Sequence, residues 1–99
     1  VANSYSNNIS VIDTHNNELV NTIGVGGEPR YINIYQRYIV VSNSQSNSVN
    51  FIDLYSLRLV STVFVPGRPG RVIPGLRSWV YVAGEQSHDI SFVAPSLNI

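Results

Sequence analysis

The feature that most constrains this chain is an internal echo. Residues 1–29 lie over residues 41–69 without a gap, and 13 of those 29 positions are identical. The matches include Asn3/Asn43, Asn7/Asn47, Asp13/Asp53, Leu19/Leu59, Gly27/Gly67 and Pro29/Pro69. With Gly70 taken as an insertion, Arg30 meets Arg71, Tyr38 meets Trp79, and Ile90-Ser91-Phe92-Val93 lies over Val49-Asn50-Phe51-Ile52. A period of about 40 residues is the length of four short strands with their turns, repeated as one structural unit.

Each unit reads as strand. Ile9-Ser10-Val11-Ile12 and its two later copies share an apolar-polar-apolar-apolar pattern rich in β-branched and aromatic residues. Such a strand suits a sheet covered on both faces. Gly-Gly-Glu-Pro before Arg30 and Pro-Gly-Arg-Pro before Gly70 break the pattern. Apolar residues keep no helical spacing. Asn and Ser cluster at Asn7-Asn8, Asn16-Asn17 and Ser42-Asn43-Ser44, where their short polar side chains favour turns.

Val1-Ala2-Asn3-Ser4, Val40-Val41-Ser42-Asn43 and Tyr81-Val82-Ala83-Gly84, followed by Ser-Asn-x-Ile/Val-x-x-Ile-Asp, Leu-Val-x-Thr-Ile/Val, x-Val-Gly and Pro-Arg, resemble the YVTN-type β-propeller repeats. The resemblance recurs in register over essentially the whole chain. It departs at Tyr35-Gln36-Arg37 and Leu76-Arg77-Ser78, where the family's hairpin is Pro-Asp-Gly, and at Gly84 and Ala94. It implies an all-β fold, a β-propeller segment of about two and a half four-stranded antiparallel blades. The units are approximately 1–29 (partial), 30–69 (complete) and 70–99 (partial). It further implies Tyr31–Tyr35 innermost, Tyr38–Asn43 second, Val49–Asp53 third and Arg58–Phe64 outermost, about ten strands in all, with an outermost strand beginning again at Leu97-Asn98-Ile99.

A blade is one sheet and cannot bury both faces alone, so the segment is expected to need the remainder of a longer propeller chain, or copies of itself, to close a ring. The chain has no Met, even at position 1, which points to a processed chain or an excerpt. No leader and no apolar run of membrane-spanning length is visible. Six Arg balance six acidic residues, so there is no basic field for nucleic acid or an anionic membrane. The absence of Cys excludes disulfides and thiolate chemistry and fits an extracytoplasmic protein.

Among candidate site residues, Arg30 and Arg71 follow the Pro before the innermost strand. Repeated around a ring, they would form a collar for a carboxylate, phosphate or sulfate through bidentate bonds. The competing reading has them solvated at a rim or tied to Glu28 or to loop carbonyls. Asp13 and Asp53 read as Asx turns rather than as a metal or acid–base ring, with Gly27, Gly67, Pro29 and Pro69 as structural turn residues. His15 and His88 share no repeat position and lack the companions of a zinc site. Adjacent Ser87-His88-Asp89 on an extended segment point to opposite sides and form no triad. Gly24-Val25-Gly26-Gly27 has no following helix to bind phosphate. Asn8-Ile9-Ser10 is a short glycosylation sequon. Tyr38 and Trp79 are expected between blades, and Tyr55 exposed in a hairpin.

No catalytic, metal or cofactor site follows from these residues. The leading expectation is a non-enzymatic module, a scaffold or recognition surface for a protein, a polymer or a small anion. The alternatives are a propeller domain of a cofactor- or metal-containing redox enzyme, and a structural cell-surface or filament subunit.

Overall fold

The computed structural model describes residues 1–65, 67–74, 80–86 and 90–93. Among them lie ten strands and no helix: β1 (Ala2–Asn3), β2 (Asn8–Asp13), β3 (Glu18–Gly24), β4 (Pro29–Tyr35), β5 (Tyr38–Asn43), β6 (Ser48–Asp53), β7 (Leu59–Phe64), β8 (Pro69–Pro74), β9 (Val80–Gly84) and β10 (Ile90–Val93). They form three antiparallel sheets in sequential order: β1-β2-β3, then the four-stranded β4-β5-β6-β7, then β8-β9-β10. Among the described residues no helix is long and apolar enough to cross a membrane. The strands of the complete unit fall within a residue or two of the boundaries expected from the repeat. Trp79, Ser87-His88-Asp89, Ala94, Leu76-Arg77-Ser78 and Leu97-Asn98-Ile99 lie outside the described residues.

The sheets stack face to face, and the middle one is buried on both sides. Directly paired residues share a face in antiparallel strands, so the pairs Val40↔Phe51 and Ser42↔Val49 line one face while Ile39↔Ile52 and Val41↔Asn50 line the other. The first face, with Tyr35 and Val65, packs on Val72, Val80, Val82 and Val93 of the third sheet. The second packs its Ile39, Val41 and Ile52 on Ile9 and Ile23 of the first sheet. Val40, Val41, Val49, Phe51 and Ile52 are wholly excluded from solvent. This two-sided burial explains why the repeat lacks a clean polar alternation. Tyr38 stands edge-on to Phe51 with ring centroids 5.9 Å apart, between the second and third sheets.

The pairing register corrects one part of the sequence alignment. β9 and β10 follow β5 and β6 at an interval of 41 residues, since Ser42↔Val49 becomes Ala83↔Ile90. Pro29↔Asn43 and Ile32↔Val41, however, become Pro69↔Gly84 and Val72↔Val82. β8 therefore follows β4 at an interval of 40, which puts Gly70 at the place of Arg30 and Arg71 at the place of Tyr31. The extra residue falls between Pro74 and Val80, outside the described residues, and not at Gly70. A hairpin absorbs an added residue without shifting side chains to the other face of the sheet, whereas an insertion within β8 would shift them.

A second correction concerns the Asn and Ser clusters. Ser42 and Asn43 are not turn residues but buried strand residues, and Ser48 and Asn50 are buried beside them in the neighbouring strand. Asn43, Ser48, Asn50 and Thr62 share the face toward the first sheet. The Asn43 Nδ2 donates to Ser48 Oγ (3.2 Å) and Asn50 Oδ1 (2.7 Å), and Asn50 Nδ2 donates to Thr62 Oγ1 (2.7 Å). In the first sheet Asn3 donates to Asn8 and Ser10 at the corresponding positions. The first two units thus each carry a polar knot tying their strands together, in which the amide donors are bonded while Asn43 Oδ1 accepts nothing.

Candidate functional site

The antiparallel order gathers five connections at one end of the stack: the β1–β2, β5–β6 and β9–β10 turns, and the β3–β4 and β7–β8 links between sheets. Asn7 and Asn47 clasp the two links. Both stand in the left-handed region, at φ 56° and 53°, which Asn tolerates better than most residues. Their carbonyls accept from Val25 N–H (3.0 Å) and Val65 N–H (2.9 Å). Their side-chain oxygens accept from Glu28 N–H and Arg68 N–H, at 3.0 Å each. The clasp holds Glu28 and Arg68 at φ 55°, a conformation costing about 1 kcal/mol or more for a residue with a Cβ. Gln45 and Gln86 N–H groups complete the tie by donating to Gly27 and Gly67.

Gly27 and Gly67 share a repeat position but not a conformation. Gly67 has φ 83°, a value that disfavours any side chain. Gly27 instead donates its N–H to Ser46 Oγ at 3.0 Å. Gly26 makes the close approach: a Cβ there would lie 2.6 Å from Ser46 Oγ, 2.9 Å from Ser48 Oγ and 3.0 Å from Asn43 Cγ. Its N–H donates to Asn50 Oδ1 at 3.1 Å, so the link sits on the polar knot. Pro29 and Pro69 open β4 and β8, where a strand tolerates a missing donor.

The charged residues on this end pair across the sheets. Arg68 approaches Glu28 at 3.8 Å, and Arg30 bonds Glu85 at 3.2 Å. Glu85, rather than Glu28, is the carboxylate that holds Arg30. Its side chain reaches there over Gly70, where a Cβ would meet Glu85 Cγ at 2.7 Å. Arg30 and Arg71, although not repeat equivalents, converge on one aromatic ring. Each guanidinium carbon stands 5.5 Å from the Tyr31 ring centroid, within cation–π range. Among the described residues Arg71 has no ion pair. Among the described residues of this end, Glu28 and Glu85 engage Arg68 and Arg30, and Arg71 is exposed. Beside Arg30, an open polar depression of about 690 Å³ is lined by Ser4, Tyr5, Asn7, Glu28, Arg30 and Gln45.

The opposite end carries Asp13 and Asp53. Asp13 Oδ1 accepts from His15 N–H at 2.8 Å. Asp53 Oδ1 accepts from Tyr55 and Ser56 N–H groups at 2.8 and 3.0 Å, and its Oδ2 meets Arg37 at 3.0 Å. These are Asx turns opening a hairpin. The backbone bonds from Ser56 and Tyr55, helped by Arg37, lower the Asp53 carboxyl below its ordinary pKa. His15 and Tyr55 are exposed in these hairpins. Among the described residues no three His, Cys, Asp or Glu side chains gather into a metal-binding group.

Sequence reasoning named Arg30 and Arg71 but missed Tyr31 as their meeting point and Glu85 as the counter-ion. It paired Asn7 with Asn47 as echoes without assigning them a task. The signal for the clasp was there: an Asn shared by the first two units, directly after Ser, in a turn.

No protein-family model matches this sequence, and no curated protein matches it. Among solved structures, the chain is similar to hydrazine synthase from Kuenenia stuttgartiensis, with a TM-score of 0.83 and 18% identity. The match covers 93% of this chain and 28% of that one. The chain therefore spans little more than a quarter of that protein's length, and the likeness is one of fold.

Proposed function

We propose that the chain is part of a β-propeller of the YVTN type, working outside the cytoplasm as a non-enzymatic recognition module. Its turn-bearing end presents the site, and the ligand group is a small anion or a carboxylate on a larger partner. The observation that carries this reading is the convergence of Arg30 and Arg71 on the Tyr31 ring, with Glu85 engaging Arg30 and, among the described residues, no carboxylate engaging Arg71. The three stacked antiparallel sheets support the propeller assignment, as one sheet per repeat is what radial blades require. An Arg fixed against an aromatic face keeps its fork of donors aimed outward for bidentate contact. Nothing in the charge balance favours nucleic acid.

The test is isothermal titration of the protein with sulfate and with acetate. Arg71→Ala should weaken binding by about tenfold or more, the equivalent of ~1.4 kcal/mol or greater. Arg30→Ala should weaken it less, because Glu85 already engages that side chain. Equal affinity in the wild type and the double variant would remove the anion site from the account.

A second reading makes the same array a domain of a cofactor- or metal-containing redox enzyme. The fold likeness to hydrazine synthase brings this forward. An absorption spectrum and elemental analysis of the protein as isolated separate it from the first, since a chromophore or stoichiometric metal would favour the enzyme.

A further inference from the structure

The polar depression beside Arg30 forms where the first and second sheets meet. Tyr5 and Asn7 come to it from the β1–β2 turn, Glu28 from the β3–β4 link, Arg30 from the start of β4 and Gln45 from the β5–β6 turn. Its volume of about 690 Å³ falls in the ~300–1,000 Å³ range of small-molecule sites. Tyr5 is 103% exposed, so its ring contributes nothing to packing within the chain. That exposure belongs to the repeat position itself. Gln45 stands at the same place in the complete unit, its N–H bonded to Gly27 of the link before it, and is exposed as well.

The polar groups around the Tyr5 ring are of both kinds. The Asn7 side-chain oxygen is taken by Glu28 N–H, which leaves its Nδ2 as a donor, and the Gln45 amide offers both a donor and an acceptor. The Glu28 carboxylate, half-exposed and 3.8 Å from Arg68, keeps oxygens to accept with. This mixture decides the chemistry of the ligand. A bare anion would meet Glu28 as a like charge. A hydroxyl both donates and accepts, so neighbouring hydroxyls use the Glu28 oxygens and the amide donors together. The C–H face of a pyranose ring suits the negative face of an exposed tyrosine. Arg30 joins the depression to the guanidinium pair, since it and Arg71 each stand 5.5 Å from the Tyr31 ring centroid. A carboxylate borne by the sugar has its bidentate partners there.

We propose that the depression binds a uronate residue of an acidic polysaccharide, with its ring on Tyr5, its hydroxyls on Glu28, Asn7 and Gln45, and its carboxylate toward Arg30 and Arg71. The proposal rests on the anion reading above and identifies what bears the carboxylate.

Isothermal titration tests it with trigalacturonate, with triglutamate, whose carboxylates sit on no pyranose ring, and with maltotriose, whose rings carry no carboxylate. Trigalacturonate should bind about tenfold or more tighter than either. Tyr5→Ala should weaken trigalacturonate by about fivefold and leave sulfate unchanged, while Tyr5→Phe, which keeps the ring, should keep both affinities. Trigalacturonate held no tighter than triglutamate or maltotriose, or held by Tyr5→Ala as by the wild type, overturns the proposal. Sulfate binding that persists beside such a result and is lost in Arg71→Ala leaves the anion reading standing, whereas no sulfate binding in the wild type removes that reading as well.

Discussion

Exchanging Gly26 for Ala tests the polar knot more directly than cutting any of its bonds. Gly26 lies in an ordinary backbone region, so no conformational strain enters and the effect is contact alone. The new methyl would fall 2.6 Å from Ser46 Oγ and 2.9 Å from Ser48 Oγ, with Asn43 Cγ at 3.0 Å. Asn43 and Ser48 are buried and cannot turn to solvent. The bonds at risk are Ser46 to Gly27 N–H (3.0 Å), Ser46 to Ser48 (2.8 Å), and Asn43 to Ser48 (3.2 Å). Losing two at about 1 kcal/mol each, with some strain added, costs about 2–3 kcal/mol. For a domain of this size that lowers Tm by about 8–20 °C. Gly24→Ala is the control: a Cβ there meets nothing within 4 Å, and the less flexible unfolded chain should leave stability unchanged or raised by up to about 1 kcal/mol. Thermal melts followed by circular dichroism compare the two. Equal melting temperatures for both variants would show that the link does not rest on the knot.

Three further outcomes follow from neighbouring geometry. Phe51→Ala empties a fully buried site between two sheets and should cost about 3–5 kcal/mol in urea unfolding, whereas Phe92→Ala at the corresponding exposed position should cost at most ~1 kcal/mol. Asp53 has a folded-state pKa below its unfolded value, so its contribution is present above the unfolded pKa and is lost as pH falls through the folded one. Asp53→Asn should therefore flatten the acid limb of stability against pH, and an unchanged limb would contradict the bonds from Tyr55 and Ser56. Gly70→Ala should push Glu85 off Arg30 at a stability cost below about 1 kcal/mol, as the pair is exposed. Sulfate titration should then show tighter binding, and weaker binding would argue that Glu85 positions Arg30 rather than competing for it.

The strands and their order were legible because a forty-residue echo of β-branched and aromatic residues leaves few other folds. The middle unit was read nearly residue for residue. The position of the extra residue was not. Aligning Arg30 with Arg71 satisfies letter identity, but backbone pairing is decided by which residues face the core, and Val72 belongs with Ile32 on the face toward the preceding sheet. Val72 is buried there and Ile32 is 38% exposed, because the first sheet begins at β1 and places no strand opposite Ile32. The buried Asn43 was illegible for a different reason. Asn in a short polar cluster has the same local preference whether it ends in a turn or in a knot, and only packing from another unit distinguishes the two. Tyr31 as the seat of two guanidiniums depends likewise on a contact between β4 and β8, about forty residues apart.

The facing of Glu28 by Arg68 has a bearing on how such an array diverges. The two occupy one position of the repeat and carry opposite charges. Opposite signs there mean that the units have become ordered neighbours. Replacing either unit with a copy of the other would set like charges against each other, and a shuffled or consensus version would carry that mismatch at every joint.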